Sequence, residues 1–286
     1  MTNRRKVGIA LGSGSARGWA HIGVLQQLIA EGVAPDMVAG CSMGAMIGAA
    51  YAAGCIGQLE VWALSLNLKG VVGLIDVGFS GGLIKGDRLL NMFYTQFVEC
   101  PFSALQVPFA AVATDLATGE EIWLREGSVS DAVRASCTVP GLFRPVLHNG
   151  RFLIDGSVVN PVPVSLCREM GAEIVIAVDP GTEMAPRARL EEKVESRRRK
   201  IFDLPSFMRP ARTPTPSLAT TFMGAIDIMQ QRIAQARLST EPPDVLVAPL
   251  LGDLGIFEYH RAAAAIAEGR AAVKRMLPDI HRVLAA

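Results

Sequence analysis

The 286-residue chain has no apolar run of the ~18 residues needed to cross a bilayer, and no excess of one charge sign: its formal net charge is +1. The first absence argues against a membrane-spanning helix. The second argues against a surface built to grip nucleic acid along its length. CxxC pairs are also missing. The five cysteines, Cys41, Cys55, Cys100, Cys137 and Cys167, are odd in number and far apart. They indicate neither a disulfide framework nor a zinc site, and read mostly as buried small apolar side chains in a reducing compartment. Arg4, Arg5 and Lys6 precede an apolar run, as in a secretory leader, but Val7 to Leu11 is shorter than the ~7–15 residues of such a core and reads as a first strand. No internal repeat is present.

Half of the chain is hydrophobic, enough for a substantial core. The first half alternates strand and helix: a strand at 6–11, a Gly/Ser loop at 12–18, a helix ending at Gly32, a strand at 37–41 and a helix at 43–53 closed by Gly54. This is the pattern of an α/β architecture. Further on, the pattern predicts a helix over 87–98, a hairpin at 107–124 turning at Thr118-Gly119, and a helix capped by Ser128 with Asp131. Strand character at 146–154 is broken by Asn149-Gly150, a turn dipeptide. A helix at 161–170, a strand at 173–178, a helix at 218–236, a strand at 245–249 and a helix at 261–276 complete the reading. Between them, 183–217 is rich in Arg, Glu and Pro and reads as a flexible insertion or lid in one domain spanning 1–286. Within it, Ile201, Phe202, Leu204, Phe207 and Met208 among basic residues have the composition of a membrane-surface contact or of a solvated loop.

Two motifs carry chemistry. "GCSMG" at 40–44 fits G-x-S-x-G, in which a serine stands on a sharp strand-to-helix turn and the flanking Gly40 and Gly44 let backbones approach. The helix start beneath Ser42 favours the negative charge of acyl transfer. "GSGSARG" at 12–18 also opens a helix. It fits neither GxGxxG nor GxxxxGK[ST], so a nucleotide loop is disfavoured against an oxyanion hole near Gly14 and Ser15, or a plain turn. A serine nucleophile needs a base. His260, His281, Asp115, Asp155 and Asp179 are all candidates, and spacing does not choose among them.

Four blocks in order, "GSGSARG", "GCSMG", "ASCTVPGLFRPV" (135–146) and "DGSVVNPVP" (155–163), resemble bacterial patatin-like phospholipases of the branch related to neuropathy target esterase. The resemblance implies a three-layer α/β/α fold around a mainly parallel sheet and a serine esterase acting on phospholipids or lysophospholipids. It implies a Ser–Asp dyad, with Ser42 as nucleophile and Asp155 as proton acceptor, and Gly156 turning the chain away. It also implies an oxyanion hole over Gly14, Ser15, Ala16 and Arg17, with Arg17 holding the loop or meeting an anionic head group. No cofactor or metal is expected, and the expected location is the cytoplasm with peripheral membrane contact. The chain departs from the family at Ser13 and Ser15, where glycines are usual, and at Ser157, where Gly or Ala is. The rival readings are a histidine-dependent hydrolase or acyltransferase using His260, and a non-catalytic regulatory protein with Ser42 idle.

Overall fold

The computed structural model describes residues 4–67, 76–77, 84–85, 93–181 and 218–286. The strands are β1 (Val7–Leu11), β2 (Met37–Cys41), β3 (Asp76–Val77), β4 (Ile84–Lys85), β5 (Phe109–Asp115), β6 (Glu121–Leu124), β7 (Val146–His148), β8 (Arg151–Asp155), β9 (Ile174–Val178) and β10 (Val245–Val247). The helices are α1 (Ala20–Ala30), α2 (Met43–Ala52), α3 (Ile56–Ser65), α4 (Val129–Ser136), α5 (Val164–Glu169), α6 (Leu218–Thr240) and α7 (Ala262–Ala285). Eight strands form one sheet in the order β10-β9-β1-β2-β5-β8-β7, with β6 also on β5, and β3 and β4 pair separately.

The strands from β10 to β5 are parallel, whereas β6, β7 and β8 join antiparallel. β1, β2, β5 and β9 are buried along their whole length, as strands covered on both faces must be. Alternate residues divide between two apolar layers. Ile9, Leu11, Val38, Ala111 and Ile176 join the core that holds α1, α2, α4 and α7. Ala10, Ala39, Val112 and Val175 face α5 and Ala234 of α6. The result is the expected α/β/α sandwich with a mostly parallel sheet.

Local signals explain most elements. Asn149 and Gly150 both take positive φ, 49° and 79°, which turns β7 into β8. Ser128 Oγ accepts from the Asp131 N–H at 3.3 Å to start α4. The sequence pattern misses α3 because Val61 and Leu64 are exposed on it and Cys55 supplies no side-chain cap, so the apolar period is blurred. It also ends the last helix too early. α7 runs past Pro278 to Ala285, since buried Ile280 and the packed Val283 and Leu284 hold the turn that the proline weakens. The first half of the helix expected at 87–98, residues 87–92, and all of the charged stretch 183–217 lie outside the described residues, while Tyr94–Val98 forms a π-helical turn.

Strand β5 places the site. β6 pairs with residues 111–114 of β5, so β2, paired to 109–112, and β8, paired to 113–115, must share the opposite edge. Cys41 meets Val112 and Asp155 meets Ala113, at adjacent rungs. Two strands running in opposite directions therefore end against each other, and the residues at their tips are Ser42 and Asp155.

Candidate active site

Ser42 lies between β2 and α2 with φ 53° and ψ −121°, a conformation that β-carbon-bearing residues avoid and that typically stores ~1–3 kcal/mol. Its surroundings enforce it. A β-carbon on Gly44 would lie 2.1 Å from the Leu11 carbonyl oxygen, and one on Gly40 would lie 2.5 Å from the Ala45 Cα. Both glycines of G-x-S-x-G are needed for close contact. The Ser42 N–H donates to Ser136 Oγ at 2.9 Å, and the Cys137 thiol donates to the Ser42 carbonyl at 3.2 Å, so α4 braces the corner from the side.

The Ser42 hydroxyl donates to Asp155 Oδ2 at 2.7 Å across 113 positions of chain. Asp155 is fully buried. Its Oδ1 accepts from the Ser157 N–H at 2.9 Å and the Ser157 hydroxyl at 2.6 Å. Its backbone is fixed by the Thr138 carbonyl at 2.9 Å and the Thr114 hydroxyl at 2.9 Å. Burial pushes the carboxyl above its ordinary range, while the hydrogen bonds from Ser157 and Ser42 favour the ionised form and pull it back. Gly156 does not take a positive φ. It is required because a β-carbon there would lie 2.3 Å from the Val112 carbonyl oxygen, so its part is close approach to β5 rather than the turn itself.

The loop before α1 has a specific division of amides. Gly12 N–H donates to Val178 O, Ser13 N–H to Pro161 O, Ala16 N–H to Ile256 O and Arg17 N–H to Gly14 O, all between 2.8 and 3.1 Å. The expectation that Ala16 and Arg17 supply oxyanion donors is thus corrected: their amides are already engaged inside the loop and to the 256–259 segment. Among the described residues, the amides of Gly14 and Ser15 meet no acceptor. Ser15 takes φ 49° and its hydroxyl donates to the Ile256 carbonyl at 2.6 Å. With that proton used, the Tyr259 hydroxyl, 2.7 Å away, is the donor in their contact. Arg17 ties the same loop outward, through Nε to the Leu254 carbonyl at 3.0 Å and its guanidinium to Asp227 at 3.6 Å.

None of the four histidines lines the pocket around Ser42. His21 is buried one turn beyond the loop and contacts the Gly12 carbonyl at 2.7 Å through Nε2. Burial lowers its pKa to about 4, so it is neutral at ordinary pH and the Nε2–H tautomer pins the loop. The pocket itself is small, about 60 Å³, against the ~300–1,000 Å³ typical of ligand sites. Its floor is Ser13, Gly14, Ser42 and Asp155, and its roof is one face of α6: Met223, Ile226, Asp227, Gln230, Gln231 and Ala234.

Ser42 on a strained strand-to-helix corner, the buried Asp155 carboxylate on its hydroxyl, and Gly14 and Ser15, whose amides meet no acceptor among the described residues, all line one pocket. The patatin-like phospholipase family profile matches residues 9–168, more than half of the chain. The chain belongs to the patatin-like phospholipase family. An uncharacterized NTE family protein of Mycobacterium bovis is 31% identical across 95% of this chain and 91% of its own length. Another, from Mycobacterium tuberculosis, is 32% identical across 97% of this chain but 48% of its own. Patatin-like phospholipase domain-containing protein 6 of Mus musculus is 33% identical across 62% of this chain and 14% of its own. The crystal structure of VipD from Legionella pneumophila shares the fold with a TM-score of 0.51 at 14% identity, over 99% of this chain and 80% of that one. The family is one of lipid hydrolases.

In this patatin-like chain, sequence patterns did not reveal Ser136, which orients the Ser42 backbone, or the α6 face that covers the site. Ser136 stands inside the third resemblance block, which was a signal that its neighbourhood matters. α6 carries no motif, and only its docking over Ser157 makes Asp227 and Gln230 part of the site.

Proposed function

We propose that the chain is a serine esterase that hydrolyses carboxyl ester bonds of phospholipids or lysophospholipids through an acyl-enzyme. The observation that carries this reading is the 2.7 Å hydrogen bond from Ser42 Oγ to a buried Asp155, with no histidine lining the pocket. Ser42 Oγ attacks the ester carbonyl as its proton moves to Asp155 Oδ2. The tetrahedral oxyanion faces the free amides of Gly14 and Ser15 at the start of the first helical turn, where each donor removed from such a hole typically loses ~2.7–4 kcal/mol of barrier lowering. Asp155 then returns the proton to the leaving alcohol, and water, deprotonated by the same carboxylate, releases the acid. A base with an ordinary carboxylate pKa would be weak, and the burial that raises Asp155 makes it stronger.

The pocket beside Ser42, about 60 Å³, is well below the ~300–1,000 Å³ typical of ligand sites, and in this reading α6 moves to admit substrate. Among the described residues no helix is long and apolar enough to cross a membrane. The proposed substrate sits in a lipid surface, and on that reading the working protein is cytoplasmic and touches that surface peripherally. The test is labelling of purified protein with a fluorophosphonate probe, alongside release of fatty acid from a phospholipid and lysophospholipid panel. Wild type is expected to label and to release fatty acid, and Ser42→Ala to do neither. A Ser42→Ala protein that labels and turns over like wild type would defeat the assignment.

A further inference from the structure

Ser157 lies two residues beyond Asp155, and its hydroxyl is committed. It is buried, 1% exposed, and donates its one proton to Asp155 Oδ1 at 2.6 Å. Its oxygen in turn accepts from Gln230 Nε2 at 2.6 Å. Gln230 belongs to α6, the roof, and touches no reacting atom. A line of donors therefore runs from the roof helix through Ser157 and Asp155 to the nucleophile: Gln230 to Ser157, Ser157 to one carboxylate oxygen, Ser42 to the other. The carboxylate has two oxygens, and two donors from Ser157 hold Oδ1, which leaves Oδ2 as the one facing Ser42. Gly or Ala at 157 would keep the backbone donor and lose the hydroxyl.

We propose that Ser157 and Gln230 form a relay that positions the Asp155 carboxylate toward Ser42 and tunes its basicity according to whether α6 is docked. With α6 docked, Gln230 polarises the Ser157 hydroxyl, which then binds the ionised carboxylate more strongly and weakens it as a base. With α6 displaced, that polarisation is lost and Asp155 becomes a stronger base at the moment the site is open to substrate. The relay rests on the dyad reading given above.

The thiols and the phenol facing Asp155 from other elements do not compete on the acid side. Cys41 at the end of β2, Cys137 after α4 and Tyr259 beside the loop are all pushed up by burial and stay protonated. Arg17, Asp179 and Asp227 are the remaining charged groups lining the pocket. Both Ser157 donors go to Asp155 and not to either of the other carboxylates, so a pH shift produced by cutting the relay is assigned to Asp155.

The experiment is the pH profile of kcat/KM on a soluble chromogenic ester, measured with the full chain as wild type, Ser157→Ala, Ser157→Thr, Gln230→Leu and Ser42→Ala. Removing a hydrogen bond to the ionised carboxylate raises its pKa, so the acid limb of Ser157→Ala is expected to move up by about one pH unit. Gln230→Leu is expected to move it in the same direction by less, and Ser157→Thr to restore it. If both Ser157→Ala and Gln230→Leu lower the plateau without moving the limb, or move it down, the relay is wrong and Ser157 merely packs. Should Ser157→Ala not fold, Gln230→Leu decides alone, since Gln230 is only half-buried on its helix. A dead Ser42→Ala with an unmoved limb in the other variants defeats the relay only. An active Ser42→Ala defeats the dyad and the relay together.

Discussion

The corner that carries Ser42 and the helix that covers it are held in opposite ways. Around Ser42, backbone touches backbone: no β-carbon fits at positions 40, 44 or 156, and β2, α2 and β5 are fully or almost fully buried. α6 meets that floor through buried Ile226 and Ala234 and through two polar links, Asp227 to Arg17 and Gln230 to Ser157. Its outer face leaves Phe222, Ile228 and Met229 about half exposed. Close packing leaves the floor one arrangement, which suits the nucleophile role proposed for Ser42. The far end of α6 is tied down by Arg237, 2.8 Å from Glu121 and 3.2 Å from Ser165, whereas over the pocket its ion pair, Asp227 to Arg17, is 3.6 Å long, which suits the movement of that end proposed above.

The contrast can be broken most severely at Gly44. Gly44→Ala puts a methyl group 2.1 Å from the Leu11 carbonyl, and with no flexible neighbour to yield it is expected to destabilise by more than about 4 kcal/mol. Chemical denaturation against wild type, or loss of soluble expression, reads this. No comparable clash exists anywhere on the described part of α6, where Gly224 has open space around its Cα.

Asp155→Asn tests the floor for what its rigidity is used for. Removing the base is expected to lower kcat/KM on a chromogenic ester about 10³-fold. Stability is expected to move the other way. The folded carboxyl is raised above its unfolded value, so between the two values the native state holds a proton that the unfolded chain has released. Stability therefore falls as pH rises through that window and remains reduced at neutral pH. An amide carries no charge to bury, and a gain of about 2–4 °C in Tm at pH 7, absent at pH 3, is the expected readout.

The smallest effect belongs to the roof. Asp227→Asn removes a partly exposed ion pair and is expected to change stability by less than about 1 kcal/mol. Limited proteolysis is expected to cut the variant in α6 faster than wild type, with the sheet core equally protected in both. Equal rates would show that the ion pair does not hold the helix down.

Much of this was legible before any coordinates. Short-range signals carried the alternation of strands and helices, the Asn149-Gly150 turn and the serine corner, because each depends on neighbours within a few positions. α3 was invisible because exposed Val61 and Leu64 break the helical period, and α7 was read short because a proline signal outweighs packing that only the fold supplies. Ser42 stood out by motif. Asp155 could not be separated from Asp115 and Asp179 by spacing and was nominated by family resemblance alone. The structure shows why spacing failed: Asp115 accepts from amides of its own hairpin and contacts Arg151, and the Asp179 carboxylate accepts from Gly181 N–H, while only Asp155 ends on the rung next to Cys41.

By itself the sequence determined that a serine would be presented on a strained turn, since two glycines and a strand-to-helix switch are local facts of chain geometry. Which acid meets it, which amides stay free and what covers the pocket were decided by tertiary structure. Those depend on β2 and β8 sharing one edge of β5, on Ile256 drawing off the Ala16 amide, and on α6 lying over Ser157, all contacts between residues far apart along the chain.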